Sequence, residues 1–380
     1  MSKRFCLIPE AGLNIEPNGN ITPCCALSSI DFSLGNITTT SLSSAFNSKE
    51  YIQFRQDHRD NNLPDVCVKR CITNSNNASH RIGRNQQILD AENQNLKQIN
   101  QPAITTVDIG LGNVCKLTCV FCSPEWSSSW AKLKNEPNNI FSFSREQTMS
   151  IVEDLKYATD ISFKGGEPLN IPYIDEFLNR LHEINPWVKI NIISNVVECS
   201  DSTIRAFTQF ENFHLGISTE ATGDLYTYLR GGRYNWEDNV LPIVKKFASL
   251  HKDFNITVSS IILLYNHQYW PEQMAVLMKQ LEEIMGDRKV TLCTQICRIP
   301  NEQSPYLLKH EVRESLARRI KEHLNDTLFD IDDTIEILLR DVKLETTKEK
   351  VLNHIQYNNR LRGVDLFSII DDFTSLLDVE

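Results

Sequence analysis

Cys115, Cys119 and Cys122 stand in the spacing C-x3-C-x2-C within Asp108–Pro124, DIGLGNVCKLTCVFCSP. Thiolates at this spacing can converge on one soft metal centre. On a four-iron cluster, three thiolates leave one iron without a protein ligand, open to a substrate or cofactor. Zinc is the competing chemistry. Structural zinc takes four closed ligands, often two C-x2-C pairs, and three close cysteines with Phe121 before the last fit that poorly. A β-like run, Ile104–Leu111, precedes the triad and must deliver it at a strand end.

The chain has 380 residues, 41% hydrophobic and 23% charged, with a net charge of −10. That is room for a large core and two or three domains, and the acidic balance argues against non-specific attraction to nucleic acid. Met1–Glu10 lacks a signal-peptide core and no apolar run reaches membrane-helix length, so the sequence reads as cytoplasmic and without a membrane partner. In that compartment its eleven cysteines point to metal ligation rather than disulfides. They fall into an early group (Cys6, Cys24, Cys25, Cys67 and Cys71), the triad, and a scattered Cys199, Cys293 and Cys297. There is no HExxH, Walker loop or Rossmann fingerprint.

The elements that must position these residues follow from periodicity. Residues 1–75 read as a small cysteine-bounded module. In it a hairpin turns at Glu16–Asn20, and a helix over Ser41–Arg55 has Leu42, Ala45 and Phe46 on one face. Residues 76–103 are a polar connector, with a helix over Arg81–Asn93. Residues 104–300 alternate strands and helices, the strands at Ile104–Leu111, Asp160–Phe163, Val188–Ser194, Phe213–Thr219, Asn255–Leu264 and Lys289–Ile296. Such β/α units imply an α/β fold with a parallel sheet curved into a partial barrel, its site at the C-terminal strand ends. Residues 301–380 form a helical extension: Val312, Leu316, Ile320 and Leu324 step by four, and apolar segments follow at Ile331–Val342 and Leu366–Leu377.

One β/α unit after the triad comes Lys164-Gly165-Gly166-Glu167-Pro168. Paired glycines let backbone approach a ligand closely, and a carboxylate accepts hydrogen bonds from an ammonium. Triad and GGEP together resemble the radical S-adenosylmethionine (SAM) superfamily, whose fold is a partial (β/α)6 barrel. The resemblance implies that Gly165, Gly166 and Glu167 meet the SAM amino group and that the Phe121 backbone lies near the adenine. It puts Asn195 near the ribose, and makes Ser218 and Arg230 candidates for the carboxylate; an ordinary loop contact is the alternative for each of these last three.

The early module resembles the auxiliary-cluster domains called SPASM and twitch, an α+β type here placed before the barrel. Cys6, Gly19-x4-Cys24 and Cys67-x3-Cys71 carry that likeness, which implies a second 4Fe–4S cluster on Cys6, Cys24, Cys67 and Cys71. Cys25 is left over, and zinc on the same four is the alternative. The pattern departs at Ile72–Ala78, which lacks the acidic and glycine-bearing residues expected there. With Cys6 so early, no room is expected for an N-terminal leader-peptide-binding domain.

The resemblance implies reductive cleavage of SAM on the triad cluster, an electron from a flavodoxin- or ferredoxin-like donor, and hydrogen abstraction from a peptide or small-molecule substrate. A non-catalytic iron–sulfur or zinc scaffold on the same fold is the competing class. Cys297, at the end of the sixth barrel strand, is a candidate for returning hydrogen to a substrate radical. Period-2 geometry puts Cys293, Gln295 and Cys297 on one face; plain core filling is the competing role of Cys297.

Overall fold

The expected hairpin is present as β1 (Gly12–Ile15) and β2 (Ile21–Thr22), antiparallel with Asn14 opposite Thr22. Its turn closes where Gly19 takes a φ of +84°, a conformation open to glycine, and the Gly19 amide donates to Glu16 O at 2.8 Å. The computed structural model describes residues 6–72, 85, 86, 88, 103–231 and 233–379. Its contacts divide the chain into two units: residues 1–115, 124–193 and 200–213, and residues 116–123, 194–199 and 214–380.

In the first unit, β1 also pairs in parallel with β3 (Thr106–Gly110), Gly12 opposite Thr106 and Ile15 opposite Ile109. Parallel pairing continues from β3 to β4 (Asp160–Lys164) and from β4 to β5 (Lys189–Ser194). All five residues of β3 are buried, as a strand covered on both faces should be. The helix expected over Ser41–Arg55 is instead two, Leu42–Phe46 and Lys49–Arg59. The cause is local: Ser48 accepts a hydrogen bond from the Tyr51 amide and so caps a new helix. The second helix is tied to β1, where the Tyr51 hydroxyl donates to Gly12 O at 2.6 Å.

In the second unit, β6 (Phe213–Ser218), β7 (Asn255–Ile262) and β8 (Val290–Ile296) pair in parallel, Ser218 opposite Ser259 and Ile262 opposite Ile296. Strands β3 to β8 match the six expected barrel strands to within two residues at each end. Three helices follow β8. His310–Leu324 buries Leu316, Ile320 and Leu324 as its four-residue step predicts. Ile331–Leu339 stops because Arg340 is extended. Lys348–Arg362 was not marked by any apolar stripe; it buries only Val351, Ile355 and Asn358. Leu366–Leu377 is not a helix but two short 3-10 turns, whose Leu366 and Phe373 are fully buried. The connector helix expected over Arg81–Asn93 and most of the departure at Ile72–Ala78 lie outside the described residues.

The fold is therefore mixed α/β with eight strands, a small cysteine-bearing N-terminal part and a C-terminal helical extension. Among the described residues, no helix is long and apolar enough to cross a membrane.

Candidate functional site

In the first unit the chain leaving β3 is held by one buried side chain, Asn113. Its Nδ2 donates to Pro124 O (2.9 Å) and Asn139 O (2.6 Å), and its Oδ1 accepts from the Phe141 amide at 2.9 Å. Two residues on, Cys115 is buried, and the serines of the segment after the triad enclose its backbone. The Ser128 Oγ accepts from the Cys115 amide at 3.2 Å, and the Ser129 hydroxyl donates to Cys115 O at 2.7 Å. Ser128 and Ser129 thus fix the backbone at Cys115.

The glycines of GGEP pack against that same loop. Gly165 has φ +114°, and its β-carbon would stand 3.0 Å from Gly112 O; a β-carbon on Gly166 would be 2.3 Å from the Asn113 carbonyl carbon. Protein backbone fills the space that a β-carbon would take at either glycine. Glu167 is buried, and its Oε1 accepts from the Leu169 amide at 3.0 Å, capping the turn Pro168–Asn170. Lys164 pairs with Asp108 at 3.3 Å.

In the second unit the stretch Thr118–Cys122 is pinned from several sides. The Val120 amide donates to Leu229 O at 2.8 Å, and the Thr118 hydroxyl donates to Gly231 O at 2.8 Å. From the C-terminal extension, Gln303 Nε2 donates to Val120 O at 2.6 Å, and Arg362 donates to Thr118 O and to Tyr228 O. Gly231 is left-handed at φ +65°, and a β-carbon there would be 2.4 Å from Thr118 O. Cys119 is buried and Cys122 half-buried. A pocket of about 620 Å³ opens beside this stretch, lined by Thr118, Asp224 and Tyr228 on one part and by Leu361, Arg362 and Ile369 on another. That volume suits a small ligand.

Arg230 closes helix Gly223–Arg230 and is almost fully buried. Both Glu220 oxygens approach its Nη2, at 2.8 and 2.7 Å, while its Nη1 lies 3.8 Å from the Cys119 sulfur and its guanidinium 5.4 Å from the Phe121 ring centre. Burial pushes the Glu220 carboxyl up to about 7, with Arg230 pulling the other way. For Cys119, burial raises the thiol and Arg230 opposes it. The Arg230 fork expected for a carboxylate ligand is thus partly taken by the protein's own carboxylate. Ser218 ends β6, half-buried, and Asn195 is buried with its Oδ1 accepting from the Val197 amide at 3.1 Å.

Cys297 lies one residue past β8 and is buried, whereas Gln295 is exposed. Cys293 and Gln295 both lie within β8, while Cys297, just past its end, differs from Gln295 in burial. Its thiol points to Ile299 O at 3.6 Å, and burial pushes it up to about 12.

The early cysteines influence one another. Burial raises Cys24 well above its usual value, with Cys25, Cys6 and Cys71 adding to the rise. Burial pushes Cys67 up to about 12, with Cys6 and Cys71 adding. His58, missed in the sequence, sits with Nε2 3.6 Å from the Cys67 sulfur and Nδ1 on Phe54 O at 2.8 Å; only its i+4 spacing from Phe54 hinted at burial. Among the described residues, no three His, Cys, Asp or Glu side chains stand in ready metal-ligand geometry. Thiols are nonetheless the donor type a soft cluster takes, and Cys6 and Cys71 act on both Cys24 and Cys67, while Cys25 is exposed.

A family model of the radical SAM superfamily matches residues 109–278, and a model of the iron–sulfur cluster-binding domain SPASM matches residues 6–72. Similar solved structures include Streptococcus suis SuiB bound to S-adenosylmethionine, at 16% identity over 76% of this chain and 62% of that one, TM-score 0.39. The same protein bound to precursor peptide SuiA gives 15%, 77%, 66% and 0.38. Native anSMEcpe with bound AdoMet gives 12%, 57%, 59% and 0.41. The chain spans 59–66% of the length of these structures' chains. No curated protein sequence matches it. A radical SAM domain implies SAM and a 4Fe–4S cluster, and a SPASM domain implies auxiliary iron–sulfur clusters. Two successive stretches of the chain thus match family models, residues 6–72 that of the SPASM iron–sulfur domain and residues 109–278 that of the radical SAM superfamily.

Proposed function

We propose that the protein is a radical SAM enzyme acting on a peptide or a small metabolite. The bound cluster and SAM supply the difficult chemistry, reductive cleavage of the sulfonium followed by hydrogen abstraction by the 5′-deoxyadenosyl group. Cys115, Cys119 and Cys122 hold the cluster, and the bonds to the backbone at Cys115, Thr118 and Val120 fix their loops beforehand. Glu167 would accept from the SAM ammonium. Asn195 meets the ribose, Ser218 the carboxylate and the Phe121 backbone the adenine. Arg230, engaged by Glu220, has a secondary part in carboxylate binding.

Cys6, Cys24, Cys67 and Cys71 hold the auxiliary cluster. Four protein thiolates leave it no open iron, which favours electron relay or bracing over substrate ligation. The electron enters from a flavodoxin- or ferredoxin-like donor.

The observation that carries the reading is the C-x3-C-x2-C triad inside the matched radical SAM region, with GGEP at the end of the next strand. Anaerobically reconstituted, reduced protein should form 5′-deoxyadenosine from SAM, and the triple variant Cys115→Ala/Cys119→Ala/Cys122→Ala should form none. Equal yields from the two proteins refute the proposal. A wild type with intact clusters and no cleavage would point to the non-catalytic scaffold.

A further inference from the structure

Arg230 and Glu220 are buried together, with 4% and 2% of their surfaces exposed. Burying such a pair costs much of what its attraction returns, so stability is a weak reason for having it. Its placement supplies another. The guanidinium lies between two groups: both Glu220 oxygens crowd Nη2, and Nη1 faces the Cys119 sulfur at 3.8 Å. The backbone beside each group is tied down. Asn266 Nδ2 donates to Glu220 O at 3.0 Å, the Val120 amide beside Cys119 is bonded to Leu229 O beside Arg230, and the Phe121 ring lies against the guanidinium.

We infer that Arg230 and Glu220 set the reduction potential of the cluster on the triad. Arg230 raises it through an N–H···S bond to Cys119, and Glu220 tempers that rise. The inference rests on the proposed role of the triad. Reduction adds negative charge to the cluster, so a cation donating to a ligand sulfur favours the reduced form. A carboxylate on the far side of the same guanidinium offsets part of that field, and in a buried setting both effects are strong. Arg230 is thus a positioning and tuning residue whose main partners belong to the protein.

The test is a redox titration of reconstituted protein without SAM, followed by electron paramagnetic resonance. The triad cluster is identified as the signal that changes when SAM is then added. Arg230→Gln should shift its midpoint to lower potential and Glu220→Gln to higher potential, with Arg230→Lys between wild type and Arg230→Gln. Midpoints unmoved in both neutral variants overturn the inference. If these variants fail to load a cluster, wild type labelled with 15N-arginine decides: pulsed resonance of the reduced SAM-responsive cluster should detect a coupled guanidinium nitrogen, and its absence overturns the inference. A wild type with no SAM-responsive signal overturns the functional reading itself, and this inference with it.

Discussion

Gly166 lies so close to Asn113 that a β-carbon would stand 2.3 Å from the Asn113 carbonyl carbon and 2.6 Å from its oxygen. These are backbone atoms that cannot rotate away, and Asn113 is the side chain on which the loop leading to Cys115 is hung. Gly166→Ala should therefore destabilise the protein by about 1–3 kcal/mol, the usual cost of overpacking. Thermal denaturation of the cluster-free protein reads this directly. An unchanged midpoint would show that the loop yields without cost.

The early cysteines predict a metal stoichiometry. With clusters on the triad and on Cys6, Cys24, Cys67 and Cys71, anaerobically reconstituted protein should hold about eight irons. Cys24→Ala should lose more iron than Cys25→Ala, because Cys24 is half-buried among the other thiols and Cys25 is exposed. Zinc replacing the second four irons, or a larger loss from Cys25→Ala, would count against this ligand set.

The sequence displayed what is local or periodic. Strands β3 to β8 were visible because their apolar runs are short, β-branched and spaced by helical patterns. The cysteine spacings are local as well. Contacts made across long separations were not visible. Arg362 reaches Thr118 across 244 positions, and Gln303 reaches Val120 across 183; neither leaves a pattern near the triad. Helix Lys348–Arg362, which brings Arg362 there, is too polar to announce itself by an apolar stripe. The break at Ser48 was legible in principle, since a serine followed by Glu50 is a good helix start, but the apolar face on either side of it masked the cap. Burial hid the Glu220–Arg230 pair, because a charged residue in a sequence reads first as solvent-facing.

His267 should give the stability profile an acid limb. Its Nδ1 donates to Leu264 O at 2.7 Å, its Nε2 is buried without a hydrogen-bond partner, and burial lowers its pKa to about 4. In the unfolded chain an imidazole takes its proton near pH 6.5. The contribution is therefore fully present above about pH 6.5. It is lost as the pH falls towards 4, because the unfolded state gains a proton that the folded state refuses. The loss amounts to roughly 3 kcal/mol over that window. The difference in melting temperature between wild type and His267→Asn, followed from pH 7.5 to 4, should shrink or reverse. A constant difference would show that His267 is readily protonated in place.

Cys297 separates packing from hydrogen return. A thiol that returns a hydrogen atom must carry its proton and meet the substrate radical. The first condition holds, since burial keeps the Cys297 thiol protonated at neutral pH. The surroundings favour packing. The Cys297 amide donates to Ile262 O at 2.9 Å, its carbonyl accepts from the Ser304 hydroxyl at 2.7 Å, and the thiol itself is aimed at Ile299 O. Cys297 is buried where Gln295, two residues earlier, is exposed. Cys297→Ala should thus lower stability by about 1–2 kcal/mol, as truncation of a small buried side chain does. It should leave 5′-deoxyadenosine formation unchanged, along with the mass of the product from any peptide or metabolite that supports turnover. Turnover in D2O gives the sharper reading, because an exchangeable thiol that returned hydrogen would place one deuterium in the product. Deuterium present in the wild-type product and missing from the variant's would restore Cys297 to the chemistry.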